Sequence, residues 1–244
     1  MKPPQRLTRR EFLGASAAGL GAWALGPRVP DGPGGKERPN ILFVLTDDQR
    51  FDTMGCAGNA IIKTPNIDRL AREGIRFTRA FVTTPICAAS RASLLTGTFE
   101  RTHTYTFTKP PLARPFIDVS YPVLLRRAGY RTGFVGKLGV AVEKGVEKEL
   151  FDWHKFTSLP YFQKVNGVDR HLTEIEGDAA VEFLRGVRAD QPFCLIWCPW
   201  APHADDGNPK QYFWPPALDG LYEEARIPVP ELADSFYYEA QPDF

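Results

Sequence analysis

Cys87 opens a run of small residues, Ala88 to Thr96, with Pro85 before it and Gly97 after it. The pattern predicts a short helix with Cys87 at its start. Backbone N–H groups at a helix start favour an anion there. Arg91, four residues on, falls on the same side. Together they would lower a thiol pKa or hold an anionic group. A buried cysteine with a packing role fits the same pattern, so the residues alone leave both readings open.

Asp47 and Asp48 end the apolar run Ile41 to Leu45. Adjacent carboxylates are hard anionic donors, suited to Ca²⁺ or Mg²⁺ rather than Zn²⁺. Two of them do not complete a calcium shell, and a solvated turn or a helix cap would look the same. Lys137 and His203 each follow another apolar run. In open α/β sheets, sites form beyond the carboxyl ends of the strands. Asp47, Asp48, Cys87, Lys137 and His203 are therefore expected to share one site.

The elements that must position them alternate. Continuous apolar runs at 41–45 and 192–200 suit parallel strands buried on both faces. "KTPNIDRLAREG" reads as a helix, with Thr64 able to cap, Pro65 in the first turn and Gly74 beyond the end. "IRFTRAFV" (75–82) alternates and predicts a strand. "SYPVLLRRAG" predicts a helix between Ser120 and Gly129, followed by the strand "YRTGFVGK". Residues 138–172 read as irregular. "TEIEGDAAVEFLRGVRAD" predicts an amphipathic helix with Ile175, Ala179, Phe183 and Val187 on one side. Leu94 and Leu95 are expected to anchor the Cys87 helix in the core. The whole predicts an α/β domain, a mostly parallel sheet flanked by helices.

The 244-residue chain is 43% hydrophobic and 24% charged, with a net charge of +1. That balance argues against a broad nucleic-acid or membrane-surface role. No run of eighteen apolar residues is present, so no spanning helix is expected in the mature chain. "RLTRREFLGASAAGLGAWALG" pairs Arg9 with Arg10 before a weakly apolar stretch ending in Ala22-Trp23-Ala24. It predicts a twin-arginine export signal over residues 1–25, hence engagement of the twin-arginine translocase and a periplasmic or secreted location. A linker is expected at 26–38 and the folded domain at 39–244. Cys194 and Cys198 lie on one strand, about 13 Å apart, too far for a disulfide. Trp197, Trp200, Trp214, Tyr212 and Phe213 could line a cleft, although packing is the commoner role.

"CAASRASLLTG" resembles the sulfatase signature, Cys-x-Pro/Ala-Ser-Arg-x-x-x-Leu-Thr-Gly. "RPNILFVLTDDQR" and "IKTPNIDRLAREGIRFTRAFVTTP" resemble the N-terminal core of that family. The resemblance implies an alkaline phosphatase-like α/β fold. It implies that Cys87 is oxidised to Cα-formylglycine by a formylglycine-generating enzyme. One oxygen of the hydrated aldehyde would attack the sulfur of a sulfate ester as the alcohol leaves. The other would then expel sulfate and regenerate the aldehyde. Asp47, Asp48 and residue 87 would hold Ca²⁺, with Mg²⁺ as the alternative, and Arg91 would steady the hydrate. Lys137, in "FVGKLG", would contact the sulfate. His203, in "APHADD", would contact it and could serve as general acid. His103 stands where many members carry a histidine. No chemical step falls to it, nor any role to His154 or His171.

Three departures stand out. Ala89 occupies a position where proline is commoner. The segment usually reading Gly-Lys-Trp-His is here Gly136-Lys137-Leu138-Gly139, so a histidine that helps to activate the hydrate is missing. No match follows His203 for the family's later Asp-Asn or Asp-His pair and second lysine, so the chain reads as the N-terminal portion of a sulfatase domain with a truncated sheet. A sulfuric ester hydrolase, with a sulfated carbohydrate as the expected substrate, is the leading expectation. A phosphate or phosphonate ester hydrolase of the same superfamily is one rival. A non-catalytic relative is the other.

Overall fold

A computed structural model describes residues 38–107, 110–229 and 233–240. The expected export signal, and all but the last residue of the expected linker, lie outside them. Among the described residues no helix is long and apolar enough to cross a membrane.

In chain order the main elements begin with β1 (Ile41–Val44), α1 (Pro65–Glu73), α2 (Cys87–Thr96) and α3 (Glu100–His103). Then come α4 (Arg114–Asp118), α5 (Tyr121–Arg127), β2 (Arg131–Gly136), α6 (Glu147–Leu150) and β3 (Trp153–Phe156). β4 (Phe162–Val165), β5 (Val168–His171), α7 (Leu172–Arg185) and β6 (Phe193–Cys198) complete the fold. β1, β6, β2 and β3 form a four-stranded sheet in that order. Every pairing in it is parallel, with Phe43 opposite Ile196 and Phe134 opposite Ile196. β6 and β2 are central and almost wholly buried, which explains the unbroken apolar sequence of β6.

Helices cover both faces. On one, Ala88, Ala92 and Leu95 of α2 pack with Phe134, Ile196, Leu112, Ile117 and Leu150. On the other, Ala179, Ala180 and Phe183 of α7 pack on Val135 and Leu195. The small residues of α2 let it lie close to the sheet. Gly97 ends it in the left-handed region (φ 67°), its N–H bonding the Ser93 carbonyl at 2.9 Å.

Five expectations are corrected. Residues 75–82 form no strand: Phe77 is 78% exposed and Phe81 86%. Alternation selects a face but supplies no ladder, and a strand without a partner does not hold. Residues 138–172 are not irregular throughout. They contain α6, β3 as the sheet edge, and an antiparallel β4–β5 hairpin. Asn166 and Gly167 turn that hairpin with φ of 52° and 84°, as an Asn-Gly pair is built to do. Helix α7 ends at Arg185, so Val187 packs on the core from beyond the helix. Leu95 is buried but Leu94 is exposed, so only one of the pair anchors α2. Thr64 stands at the start of α1, yet its hydroxyl donates to the Asp68 carboxylate at 2.9 Å and accepts the Gly55 N–H at 2.8 Å, and it caps no N–H of the helix.

Candidate active site

The strand-end residues meet as the sheet order requires. Leu45 N–H extends the β1–β6 ladder to the Trp197 carbonyl at 2.9 Å, and the chain then turns to Asp47 and Asp48. Asp48 sits in the left-handed region (φ 58°), which points successive carboxylates to different partners. At the end of β2, Gly136 turns with φ 101°; a Cβ there would overlap the Cys198 carbonyl. That close approach lets Lys137 N–H bond the same carbonyl at 2.9 Å and directs its side chain across the edge.

Asp47, Lys137 and Arg91 form one buried cluster. Lys137 Nζ lies 2.5 Å from Asp47 Oδ2, and Arg91 Nη2 lies 3.6 Å from the same oxygen. Arg91 Nη1–H donates to the Lys137 carbonyl at 2.6 Å. All three residues are buried, so their charges interact with little solvent screening. Two cations face one carboxylate, leaving the cluster with surplus positive charge. Arg91 Nη2 is buried and has no hydrogen-bond acceptor. A buried donor with no partner is costly unless something fills it. Here it is a ready site for an oxygen atom.

Cys87 shares its helix with Arg91 and packs at the edge of the apolar core. It is the first residue of α2, partly buried, and Arg91 stands four residues along, about 6 Å of helix rise. The Cys87 thiol and the other three cysteines are free. Cys198 is buried, which pushes its thiol up to about 11 and keeps it inert.

His203 and Asp48 form the outer part. His203 Nε2 lies 3.6 Å from Asp48 Oδ2. His203 Nδ1 lies 2.5 Å from the Ala204 carbonyl, so Nδ1 carries a proton and Nε2 is the atom that can exchange one. Tyr161 donates its hydroxyl to the His203 carbonyl at 2.5 Å. Burial, reinforced by the nearby carboxylates Glu176, Asp47, Asp205 and Asp48, pushes the Tyr161 phenol up to about 12, so it stays a donor.

Trp200 links the two parts, and sequence reasoning gave it no chemistry. Its ring lies under Lys137 Nζ at 4.3 Å and meets the His203 ring edge-on at 5.9 Å. The available signal was its place just past the end of β6, the position that marks Lys137 after β2. Trp214 and Tyr212 are exposed, and Phe213 packs against Tyr161 and Phe162. His103 pins α2 to α3: it accepts the Tyr105 N–H at Nδ1 (3.0 Å), so Nε2 carries the proton and donates to Ser93 Oγ at 3.0 Å. His171 caps α7 by accepting Thr173 N–H at 3.3 Å. His154 stacks on Phe156.

Among the described residues no group of three or more His, Cys, Asp or Glu side chains is placed to hold a metal. Asp47 and Asp48 offer the hard oxygens a calcium ion prefers, but they are fewer than its six to eight ligands. The donors fit in kind and fall short in number.

A parallel α/β sheet with buried Lys and Arg, a spare buried donor, carboxylates and His at its carboxyl edge belongs to the class of folds that bind oxyanion esters there. The chain belongs to the sulfatase family: the family's sequence profile, described as Sulfatase, matches residues 39–228. It is 32% identical over 204 residues to N-acetylglucosamine-6-O-sulfatase of Bacteroides thetaiotaomicron, covering 80% of this chain and 35% of the relative. It is 29% identical over 217 residues to an ulvan-active sulfatase of Formosa agariphila, covering 82% and 41%. A solved structure in complex with its substrate D-glucosamine-2-N,6-O-disulfate superposes with a TM-score of 0.66 and 29% identity, over 80% of this chain and 40% of that one. The chain thus spans about two fifths of the length of these relatives.

Proposed function

We propose that the chain carries the nucleophile-bearing side of a sulfuric ester hydrolase site, with a sulfated carbohydrate as substrate. The observation that carries this reading is Arg91 Nη2, on the helix that begins with Cys87: it is buried beside Lys137 and ion-paired to Asp47 at 3.6 Å, yet has no hydrogen-bond acceptor. It is a donor waiting for an oxygen, either of a hydrated aldehyde at residue 87 or of a sulfate. The family profile and the carbohydrate sulfatases among the relatives support the substrate class.

Residue 87, converted to formylglycine by a generating enzyme, would supply the nucleophilic oxygen of its hydrate. A calcium ion held by Asp47, Asp48 and residue 87 would supply a Lewis acid, with further ligands from outside the described residues. This chain's own groups do the rest. Arg91 holds the oxygen at residue 87 in a fixed direction. Lys137 presents its ammonium to the sulfate oxygens, backed by the Trp200 ring. His203 gives a proton from Nε2 to the leaving alcohol, because Nδ1 is committed to the Ala204 carbonyl. Twin-arginine export, carrying the folded chain to the periplasm or beyond, belongs to the same reading and rests on Arg9 and Arg10.

Mass spectrometry of the peptide holding residue 87 tests this, after co-production with the generating enzyme. An aldehyde or its hydrate is expected. A thiol in every molecule would sink the reading. Turnover of a phosphate ester with no turnover of a sulfate ester would move it to the phosphate-cleaving branch.

A further inference from the structure

Glu176 breaks the pattern of its own helix. The inward positions of α7 are Leu172, Ile175, Ala179, Ala180 and Phe183, yet Glu176 among them is completely buried. A lone carboxylate in such a place is expensive. One of its oxygens, Oε1, accepts the Thr157 hydroxyl at 2.7 Å. The other, Oε2, and the buried indole Nε1 of Trp197 make no well-formed hydrogen bond, although that indole and the Trp200 backbone lie near enough to favour the ionised carboxyl. An apolar residue of equal volume would serve the fold as well or better. Packing therefore does not account for the acid.

The contacts beyond Thr157 lead to the active site. The Thr157 carbonyl accepts the Trp200 indole N–H at 3.0 Å. Thr157 N–H in turn bonds the Gly136 carbonyl at 3.1 Å, just before Lys137. The Trp200 ring then carries the Lys137 ammonium at 4.3 Å, and that ammonium meets Asp47 at 2.5 Å. Glu176, Thr157, Trp200 and Lys137 thus form one continuous chain of contacts drawn from α7, the end of β3, the end of β6 and the end of β2.

We infer that Glu176 is a positioning residue for Lys137: by holding Thr157 it sets the place of the Trp200 ring on which the lysine ammonium rests. The inference rests on Lys137 being the sulfate contact, as proposed above. A carboxyl suits the task because its Oε1 fixes the Thr157 hydroxyl, and that fixes the rotamer and backbone that the indole uses. Trp200 and Lys137 are then held in one geometry without any group of the support touching the substrate.

Carbon-13 labelling at lysine Cε reads the lysine position directly, because a ring within 4.3 Å shifts the attached protons upfield. The Lys137 signal is the one absent from Lys137→Arg. In Glu176→Met and in Thr157→Val the signal is expected to move back toward the unshifted lysine position. Glu176→Gln keeps an oxygen for Thr157 and is expected to keep the shift. An unchanged Lys137 shift in both Glu176→Met and Thr157→Val overturns the inference. So does loss of the shift in Glu176→Gln, which would assign the effect to the charge of the carboxyl and not to its bond with Thr157. If Glu176→Met does not fold, Thr157→Val decides alone. Titration with inorganic sulfate on the same signal tests the other reading separately: a wild-type signal that ignores sulfate removes Lys137 from the sulfate site, while the mutant shifts still decide whether Glu176 positions it.

Discussion

A Cβ on Gly139 would stand 2.6 Å from Cδ of Arg91, so the arginine lies where it does because residue 139 has no side chain. Gly139 also sits at φ 64°, in the left-handed region. The histidine usual at this place in the family would have to displace the arginine. The departure at 139 and the conformation of Arg91 are thus one feature. Gly139→Ala is expected to cost about 1–3 kcal/mol, from the left-handed backbone and the contact with Arg91. Thermal unfolding reads it. Gly139→His is expected to lose more and to restore no activity. A variant melting with the wild type would show that Arg91 moves aside freely.

The buried cluster predicts an order of damage. Asp47→Ala leaves Lys137 and Arg91 as two buried cations with no counter-charge, and is expected to lose about 3 kcal/mol or more. Lys137→Met leaves Asp47 still facing Arg91 and should lose less. Urea unfolding of the two variants gives the comparison. Equal losses, or the reverse order, would mean that Arg91 does not share the carboxylate.

How much of this was legible in the sequence follows from what each signal contains. Asp47, Lys137 and His203 each follow a stretch that reads as a strand, and a parallel sheet brings such ends together. Their meeting was therefore readable. That Lys137 commits its charge to Asp47 was not. It depends on β1, β6 and β2 lying in that order, which no local pattern specifies. Trp200 was visible at a strand end, but its role needs the height of the Lys137 side chain above the sheet. Asn166-Gly167 between Val165 and Val168 was the available signal for the β4–β5 hairpin, and it went unread because the four-residue strands are too short to show alternation. Residues 75–82 mislead the other way, because alternation says nothing about whether a partner strand is there. Glu176 was legible only as an exception: a carboxylate at an inward position of an otherwise apolar helix face.

Glu176 also makes the fold sensitive to pH. Burial pushes its carboxyl up to about 7 against an ordinary value of 4.5; the Thr157 hydroxyl and the nearby Trp200 backbone and Trp197 indole offset this only in part. The folded state therefore binds the proton more tightly than the unfolded one. Stability is fully present below pH 4.5 and falls as pH rises toward 7, where the difference reaches roughly 3 kcal/mol. His103 and His171 act in the opposite sense. Burial lowers both, so their contribution holds above pH 6.5 and is lost as pH falls below it. The two trends overlap, and only a difference curve separates them. Wild type minus Glu176→Gln, measured by urea unfolding from pH 4 to 8, is expected to slope downward between 4.5 and 7. A flat difference would mean that water reaches the carboxyl.

Exposed apolar surface predicts association. β1 pairs only with β6, so its outer edge has no ladder partner among the described residues. Leu42 and Val44 on it are exposed, as are Leu70, Ile75, Phe77, Phe81 and Val82. An open strand edge and a segment rich in exposed aromatic and aliphatic side chains each invite pairing with another copy or with any apolar surface. The chain alone is expected to run as oligomers or aggregates in gel filtration with light scattering. Phe77→Lys with Phe81→Lys puts two charges on the patch and should shift the distribution toward monomer. It should leave the unfolding midpoint near the wild-type value, since neither side chain is packed. A wild-type chain that runs as a clean monomer would contradict this, and would mean that segment 75–82 folds back over the β1 edge in solution.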